Sequence, residues 1–135
     1  MNIQNLTNQE KLFFDKQVDN ISKDINVDLS VLVKNIPDDN EILLLGENTH
    51  GTKEFYTHRS LITKFMIENM GYKVVLLEGE WPDIIRINNY IQGESVDNSA
   101  KESLRSIKQS SNWLWNNKVI CQLIEWLSLI HISEP

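Results

Sequence analysis

Two short apolar runs constrain the fold of this chain more than any other feature of its sequence. The runs are residues 42–45 (ILLL) and 73–77 (KVVLL), and each is too short for a free-standing helix. Between them, apolar residues recur with a helical period from Thr52 to Met70, and Gly71 can end that helix. The order strand, helix, strand predicts an α/β fold, with a parallel-type sheet flanked by helices.

Acidic and histidine side chains follow both predicted strands. Glu47 and His50 lie in the turn after the first run, and Glu78 directly follows the second. Because ligands gather beyond the carboxyl ends of parallel strands, we expect these three side chains to share one edge of the sheet. A histidine can take a proton from water at neutral pH, and either Glu47 or Glu78 can fix its tautomer.

Arg59 is predicted to reach the same place from the helix. It lies seven residues beyond Thr52, which is about 10 Å along a helix, and helical side chains lean back toward the N-terminus. At that point its guanidinium can hold a substrate carboxylate, position an acid or stabilise an oxyanion.

Composition and charge exclude several classes of protein. The chain has 135 residues, enough for one modest domain, and a net charge of −6 with its basic residues scattered among acids. Binding to a nucleic-acid backbone is therefore not expected. The single cysteine, Cys121, excludes an internal disulfide, and the N-terminus lacks the pattern of a signal peptide. These features predict a cytoplasmic protein, and no apolar stretch is long enough to span a bilayer.

Further helices are predicted on either side of the central unit. Capping boxes that begin at Thr7 and Ser99 predict two of them, and Pro82 suits the first turn of another that can stop at Gly93. The last helix is predicted to begin at about Trp113. The tryptophans are expected to serve the core; they are Trp81, Trp113, Trp115 and Trp126.

Four motifs, in the same order, resemble those of the erythromycin esterase family. Residues 44–55 (LLGENTHGTKEF) resemble that family's LGEATHGT-x-EF, and residues 77–82 (LEGEWP) resemble LE-x-x-WP. Residues 86–91 (RINNYI) are similar to R-x-N-x-Y-[VI], and residues 113–117 (WLWNN) to W-x-W-x-N. The resemblance covers about residues 32–126.

The resemblance implies a hydrolase with an α/β fold that opens macrolide lactones or cleaves other small-molecule esters. In such a hydrolase a histidine activates water, with no metal or other cofactor. By motif position His50 corresponds to the general base, and the charged residues that line the same cleft correspond to Glu47, Arg59 and Glu78. The chain departs from the family pattern at Asn48, where alanine is usual, and at residues 79–80, where Ala-Asp is common; these changes flank the site and bear on substrate choice.

The resemblance also bears on the extent of the domain. Family members are considerably longer, so residues 1–126 are expected to be the N-terminal portion of a larger catalytic domain and to be inactive alone. Residues 127–135 (LSLIHISEP) are the translation of CTGTCTCTTATACACATCTCCGAGCCC, which is a transposase adapter used in sequencing libraries. We therefore expect this segment to be an adapter-derived tail, and we assign His131 no role.

Two other hypotheses remain open at this point. Glu47 and His50, with Glu78, can form a metal or haem site in a related α/β fold, because carboxylate and imidazole suit iron or zinc. Against this, the Glu-x-x-His pairs of di-iron proteins lie inside bundle helices and occur twice. The chain can also represent an inactive remnant.

Overall fold

A computed structural model describes residues 36–37, 39–107 and 113–132 of the chain. The chain divides into two compact units, Met1–Ile42 and Leu43–Pro135. The described residues of the first unit form a turn in which the backbone N–H of Asn40 donates to the Pro37 carbonyl at 3.0 Å. The helix predicted from Thr7 lies outside the described residues.

The second unit contains a long helix, α1, at Lys53–Met70. The helix ends before Gly71, as predicted from the sequence. Gly71 adopts a left-handed backbone with a φ of 71°, and its N–H donates to the Met66 carbonyl. A residue without a Cβ tolerates this conformation, which satisfies a carbonyl at the helix end.

Two shorter helices follow α1. Helix α2 spans Trp81–Ile91 with a proline in its first turn, and α3 spans Ala100–Ser103 and continues into a 3₁₀ turn at Leu104–Ser106. The predicted cap at Ser99 is confirmed, because its Oγ accepts a hydrogen bond from the Glu102 N–H at 3.3 Å.

The last helix, α4, spans Lys118–Ile132. The prediction that it begins at Trp113 is wrong, because Trp113–Trp115 form a separate 3₁₀ turn. Asn117 explains the later start. Its Oδ1 accepts hydrogen bonds from the N–H groups of Val119 and Ile120 at 3.0 and 3.1 Å, and so caps the new helix.

The core of the second unit lies where these helices meet. Helix α4 packs against α1, α2 and α3, and α2 also packs against α3. Glu125 of α4 reinforces the junction, since its Oε2 accepts hydrogen bonds from the Tyr90 hydroxyl at 3.1 Å and the Ala100 N–H at 3.2 Å. The buried side chains that form the core are Tyr56, Ile87, Ala100, Leu104, Ile107, Leu114, Trp115, Ile120, Leu123 and Ile124.

The predicted α/β fold with a parallel-type sheet is wrong for the part of the chain that the structure describes. Residues 42–45 and 73–77 are irregular there, and the regular elements among the described residues are all helical. Within that same part, no backbone hydrogen bond joins residues 43–45 to residues 73–77. A strand depends on ladder hydrogen bonds and cross-strand contacts, so an apolar, β-branched sequence alone does not produce one.

The two runs are also largely exposed, whereas the strands of a parallel sheet flanked by helices are buried. Leu44 is 87% exposed and Leu76 is 90% exposed, whereas Leu77 packs against the helical core. The apolar contacts that organise this unit therefore come from helix faces and from the 3₁₀ turn at Trp113–Trp115. In the described ranges, no helix is long and apolar enough to cross a membrane.

An ion pair fixes the loop between α2 and α3. The Arg86 Nε donates to Asp97 Oδ2 at 2.8 Å and its Nη2 to Asp97 Oδ1 at 2.5 Å, while the Ser95 hydroxyl donates to Oδ2 at 3.0 Å. The hydrogen bonds from Arg86 lower the pKa of the Asp97 carboxyl. Paired donors of this kind hold a carboxylate in one orientation.

We expect the contribution of Asp97 to stability to disappear in acid. An aspartate whose pKa is lowered by folding stabilises the folded state above its unfolded value of about 3.9, and this contribution is lost as the pH falls through the folded-state pKa. The Asp97→Asn variant should therefore have a lower free energy of unfolding than the wild type near neutral pH, and the difference should shrink below about pH 4. Denaturant titrations of the two proteins at several pH values measure this difference.

Glu94 provides the matched control for this experiment. It is an exposed carboxylate in the same loop, and Glu94→Gln should change the free energy of unfolding little at any pH, since exposed single charges contribute little. A stability difference for Asp97→Asn that persists unchanged in acid would contradict the assignment.

Candidate active site

The Glu47 carboxylate joins two other charged or titratable side chains. Its Oε1 lies 2.5 Å from His50 Nδ1, and its Oε2 accepts a hydrogen bond from Arg59 Nη2 at 2.6 Å. Both carboxylate oxygens are therefore engaged. An ionised carboxylate only accepts hydrogen bonds, so the proton of a neutral imidazole lies on Nδ1 and leaves Nε2 with a free lone pair.

Exposure differs sharply among the three side chains. Glu47 is 7% exposed and Arg59 is 17% exposed, whereas the His50 side chain is 57% exposed. The two groups that orient the imidazole are thus largely removed from water, and the imidazole itself is accessible. This is the arrangement needed for a base that must meet a solvent molecule or a ligand.

The turn that carries Glu47 and His50 is held in place by aromatic side chains. Gly51 has a φ of 86°, and its N–H donates to the Tyr56 hydroxyl at 3.3 Å. Trp113 packs against the same glycine, so that a Cβ on residue 51 would lie 3.3 Å from the Trp113 Cη2 atom. The absence of a side chain at Gly51 lets the turn adopt this backbone and lets the indole approach it.

Arg59 projects from the second turn of α1 between two aromatic rings. Its Cζ atom lies 5.3 Å from the ring centroid of Tyr56 and 5.2 Å from that of Trp115. The two rings meet edge to face at 6.4 Å. Cation–π contacts at these distances favour a guanidinium that is largely out of water.

Glu78 approaches this cluster through its backbone. Its carbonyl accepts a hydrogen bond from the Trp115 Nε1–H at 2.6 Å. Its side chain is exposed, and within the described part of the chain its carboxylate makes no hydrogen bond or ion pair. Of the four residues singled out in the sequence, the structure joins the side chains of Glu47, His50 and Arg59, and it places Glu78 beside them without a side-chain contact.

The expected reach of Arg59 is confirmed, but the expected scaffold is not. The guanidinium contacts an acid, which was one of the three possibilities open from the sequence. The carboxylate next to His50 is that of Glu47, and Glu78 does not contact the imidazole. These residues meet beside the N-terminal end of α1 and the Trp113–Trp115 turn. The predicted sheet edge does not exist in the described residues.

Two of the tryptophans differ from what the sequence predicts, and a third has contacts that it does not predict. Trp115 is buried as expected, but it also contacts Arg59 and Glu78. Trp113 and Trp81 are exposed, so the expectation that they serve the core is wrong. The W-x-W spacing of residues 113–115 is the sequence signal for this difference. It places the indole of Trp115 in the core and the indole of Trp113 at the edge of the core.

The polar side chains of the third motif, residues 86–91, make their contacts away from Glu47 and His50. Arg86 binds Asp97, and Tyr90 binds Glu125, so this segment joins helices and loops within the unit. Among the residues that the structure describes, no group of three or more histidine, cysteine, aspartate or glutamate side chains is arranged to hold a metal ion.

The chain is similar to one known protein family over part of its length. The profile of the family described as Erythromycin esterase matches residues 67–129. A curated protein of Escherichia coli, erythromycin esterase type II, is 29% identical over 113 residues, which cover 78% of this chain and 27% of that protein. The chain therefore spans about a quarter of the length of the curated relative. No solved structure matches it significantly.

These matches relate the chain to a family that is named for an esterase. The resemblance predicted from the four motifs is confirmed, and the chain is similar to the erythromycin esterase family.

We expect Gly51→Ala to loosen the turn that carries His50. An alanine in a left-handed backbone is strained by on the order of 1–2 kcal/mol, and its Cβ would also press on Trp113, 3.3 Å away. The free energy of unfolding of the protein should fall by about this amount, as measured by denaturant titration.

Gly46 is the control position. It does not adopt a positive φ, and an added Cβ there meets nothing within 4 Å. Gly46→Ala should leave stability unchanged or raise it slightly, because alanine reduces the entropy of the unfolded chain. Equal effects at the two positions would show that the backbone of Gly51 does not constrain the turn.

Proposed function

We propose that the protein containing this chain hydrolyses carboxylic esters, with His50 as the general base. The observation that carries the proposal is the pairing of His50 Nδ1 with the largely buried Glu47 carboxylate, while the imidazole remains exposed. Similarity to the erythromycin esterase family supports the same class of reaction.

The first step is the attack of water on the ester. His50 Nε2 takes one proton from a water molecule as the water oxygen bonds to the ester carbonyl carbon. The electron pair of the carbonyl bond moves to oxygen and gives a tetrahedral oxyanion. The imidazolium that forms is stabilised by the adjacent Glu47 carboxylate, which also keeps the Nδ1 proton in place.

In the second step the oxyanion collapses and the bond to the alcohol oxygen breaks. The imidazolium returns its proton to the departing alcohol, so that the products are a carboxylic acid and an alcohol and His50 is again neutral. When the ester is a lactone, the same step opens the ring. Proton balance therefore requires no group beyond His50 and water.

Arg59 and Glu78 have supporting roles in this proposal. Arg59 binds Glu47 Oε2 and so keeps the carboxylate turned toward the imidazole. Glu78 brings an exposed carboxylate to the edge of the site through the contact of its backbone with Trp115. We propose that it binds or orients the polar part of the substrate, since its carboxylate can accept hydrogen bonds from hydroxyl groups.

The proposed substrate class is a small-molecule ester, and a macrolide lactone is its first candidate. The support is the name of the relative in Escherichia coli, an erythromycin esterase. A hydroxyl-rich lactone also suits a site that combines an exposed indole, Trp113, with exposed polar groups.

The central test is His50→Asn in the full-length protein. Asparagine has a similar size and polarity but cannot take a proton from water, so we expect ester hydrolysis to fall by about 10²–10⁴ fold. The assay measures kcat/KM on a generic ester and on a macrolide. His58→Asn is the matched control, because His58 lies on α1 and has no part in the mechanism; its activity should stay within about twofold of the wild type. Folded His50→Asn protein with activity within tenfold of the wild type would refute the assignment.

We expect the reaction to survive removal of metal ions. In the proposed mechanism His50 and water carry out both proton transfers, so turnover should be unchanged after treatment with EDTA and dialysis. The measurement is kcat before treatment, after treatment and after addition of zinc. Loss of activity with recovery on addition of zinc would favour a metal-bound water as the nucleophile instead.

A further inference from the structure

Trp115 contacts both Arg59 and the backbone of Glu78 in the candidate site. Its indole ring lies 5.2 Å from Arg59 Cζ, and its Nε1–H donates to the Glu78 carbonyl at 2.6 Å. The residue is 5% exposed and belongs to the same buried cluster as Tyr56. One side chain of the core is therefore attached both to the arginine that binds Glu47 and to the segment that carries Glu78.

Arg59 needs such a support to hold a single orientation. A free arginine side chain has about 2 kcal/mol of rotamer entropy to lose on being fixed, and its guanidinium carries five donors. A hydrogen bond joins Nη2 to Glu47. The rings of Tyr56 and Trp115 lie against the guanidinium, which restricts the directions in which the remaining donors can turn.

We propose that Trp115 is a positioning residue for the proposed hydrolysis. Its ring fixes the Arg59 guanidinium, Arg59 fixes the Glu47 carboxylate, and Glu47 fixes the tautomer and orientation of His50. The inference rests on the proposed function for its effect on turnover, but the chain of contacts from Trp115 to His50 can be tested without turnover.

The consequence for catalysis follows from geometry. Displacement of a catalytic group by about 1 Å can reduce a rate by about 10² fold. Loss of the Trp115 ring should therefore lower kcat, because His50 would be less often in the orientation that activates water. The KM should change much less, because Trp115 is buried and does not contact the substrate.

The experiment compares two substitutions of Trp115 with one at Trp126 in the full-length protein. Trp115→Met keeps apolar bulk but removes the aromatic face, whereas Trp115→Phe keeps a face and removes the Nε1 donor. Trp126→Met is the matched control. Trp126 also packs against the core, and it makes a cation–π contact with Lys64, whose Nζ lies 5.1 Å from the ring centroid. In the described part of the chain, Trp126 has no contact with Glu47 or His50.

We expect kcat to fall by about 10–10² fold in Trp115→Met, with KM within about threefold of the wild type. Trp115→Phe should recover most of that loss, and Trp126→Met should stay within about twofold of the wild type in both constants. All assays are run at a temperature where each variant is shown to be folded. Equal losses in Trp115→Met and Trp126→Met would overturn the proposal, because they would reflect core packing alone.

A second measurement determines the tautomer of the His50 imidazole. The ¹⁵N chemical shifts of the imidazole distinguish the tautomer with its proton on Nδ1 from the one with its proton on Nε2. We expect the Nδ1–H form to predominate in the wild type, in Trp115→Phe and in Trp126→Met, and to lose population in Trp115→Met. An unchanged tautomer in Trp115→Met would overturn the proposal. If Trp115→Met does not fold, loss of the Nδ1–H form in Trp115→Phe would overturn it, because that variant keeps the ring.

Failure of the proposed function would look different. A wild-type protein without ester turnover, or one in which His50→Asn keeps full activity, would refute the hydrolytic role of His50. The tautomer measurement would still decide whether Trp115 positions the imidazole.

Discussion

The candidate site depends on a carboxylate that is shared between a histidine and an arginine. Glu47 is largely buried, and a buried charge is unfavourable unless it is paired and hydrogen-bonded. Arg59 supplies the opposite charge, and the imidazole of His50 takes the other oxygen. Because both oxygens are engaged, movement of either partner leaves part of a buried carboxylate without a hydrogen bond, and the three side chains therefore hold one another in position.

This arrangement ties the site to the helical core. Arg59 lies on α1, and the rings that flank it, Tyr56 and Trp115, are both buried members of that core. The turn from Glu47 to Gly51 has no regular structure of its own, but it is attached to α1 through the Tyr56 hydroxyl and covered by Trp113. The packing of α1 against α4 and the Trp113–Trp115 turn thus decides whether the charged residues meet.

The sequence predicted local features of the chain better than its tertiary arrangement. The end of α1 at Gly71 and the cap at Ser99 follow from interactions within a few residues, and the structure has both. The reach of Arg59 followed from helix geometry alone. The sheet failed because a strand requires a partner, and residues 73–77 find none among the described residues. Likewise, the role of Trp115 could not be predicted, because periodicity marks a tryptophan as buried but does not show which cation its ring will meet.

The low exposure of Glu47 and Arg59 has a consequence for the response of the site to dissolved ions. Mobile ions screen charges that face the solvent over about 8 Å at physiological ionic strength, but they screen a buried pair much less. The Glu47 side chain is 7% exposed, and the guanidinium of its partner Arg59 lies against the rings of Tyr56 and Trp115. Added salt therefore weakens the attraction between these two groups far less than that between surface charges, so the Glu47 carboxylate stays turned toward His50 over a wide range of ionic strength.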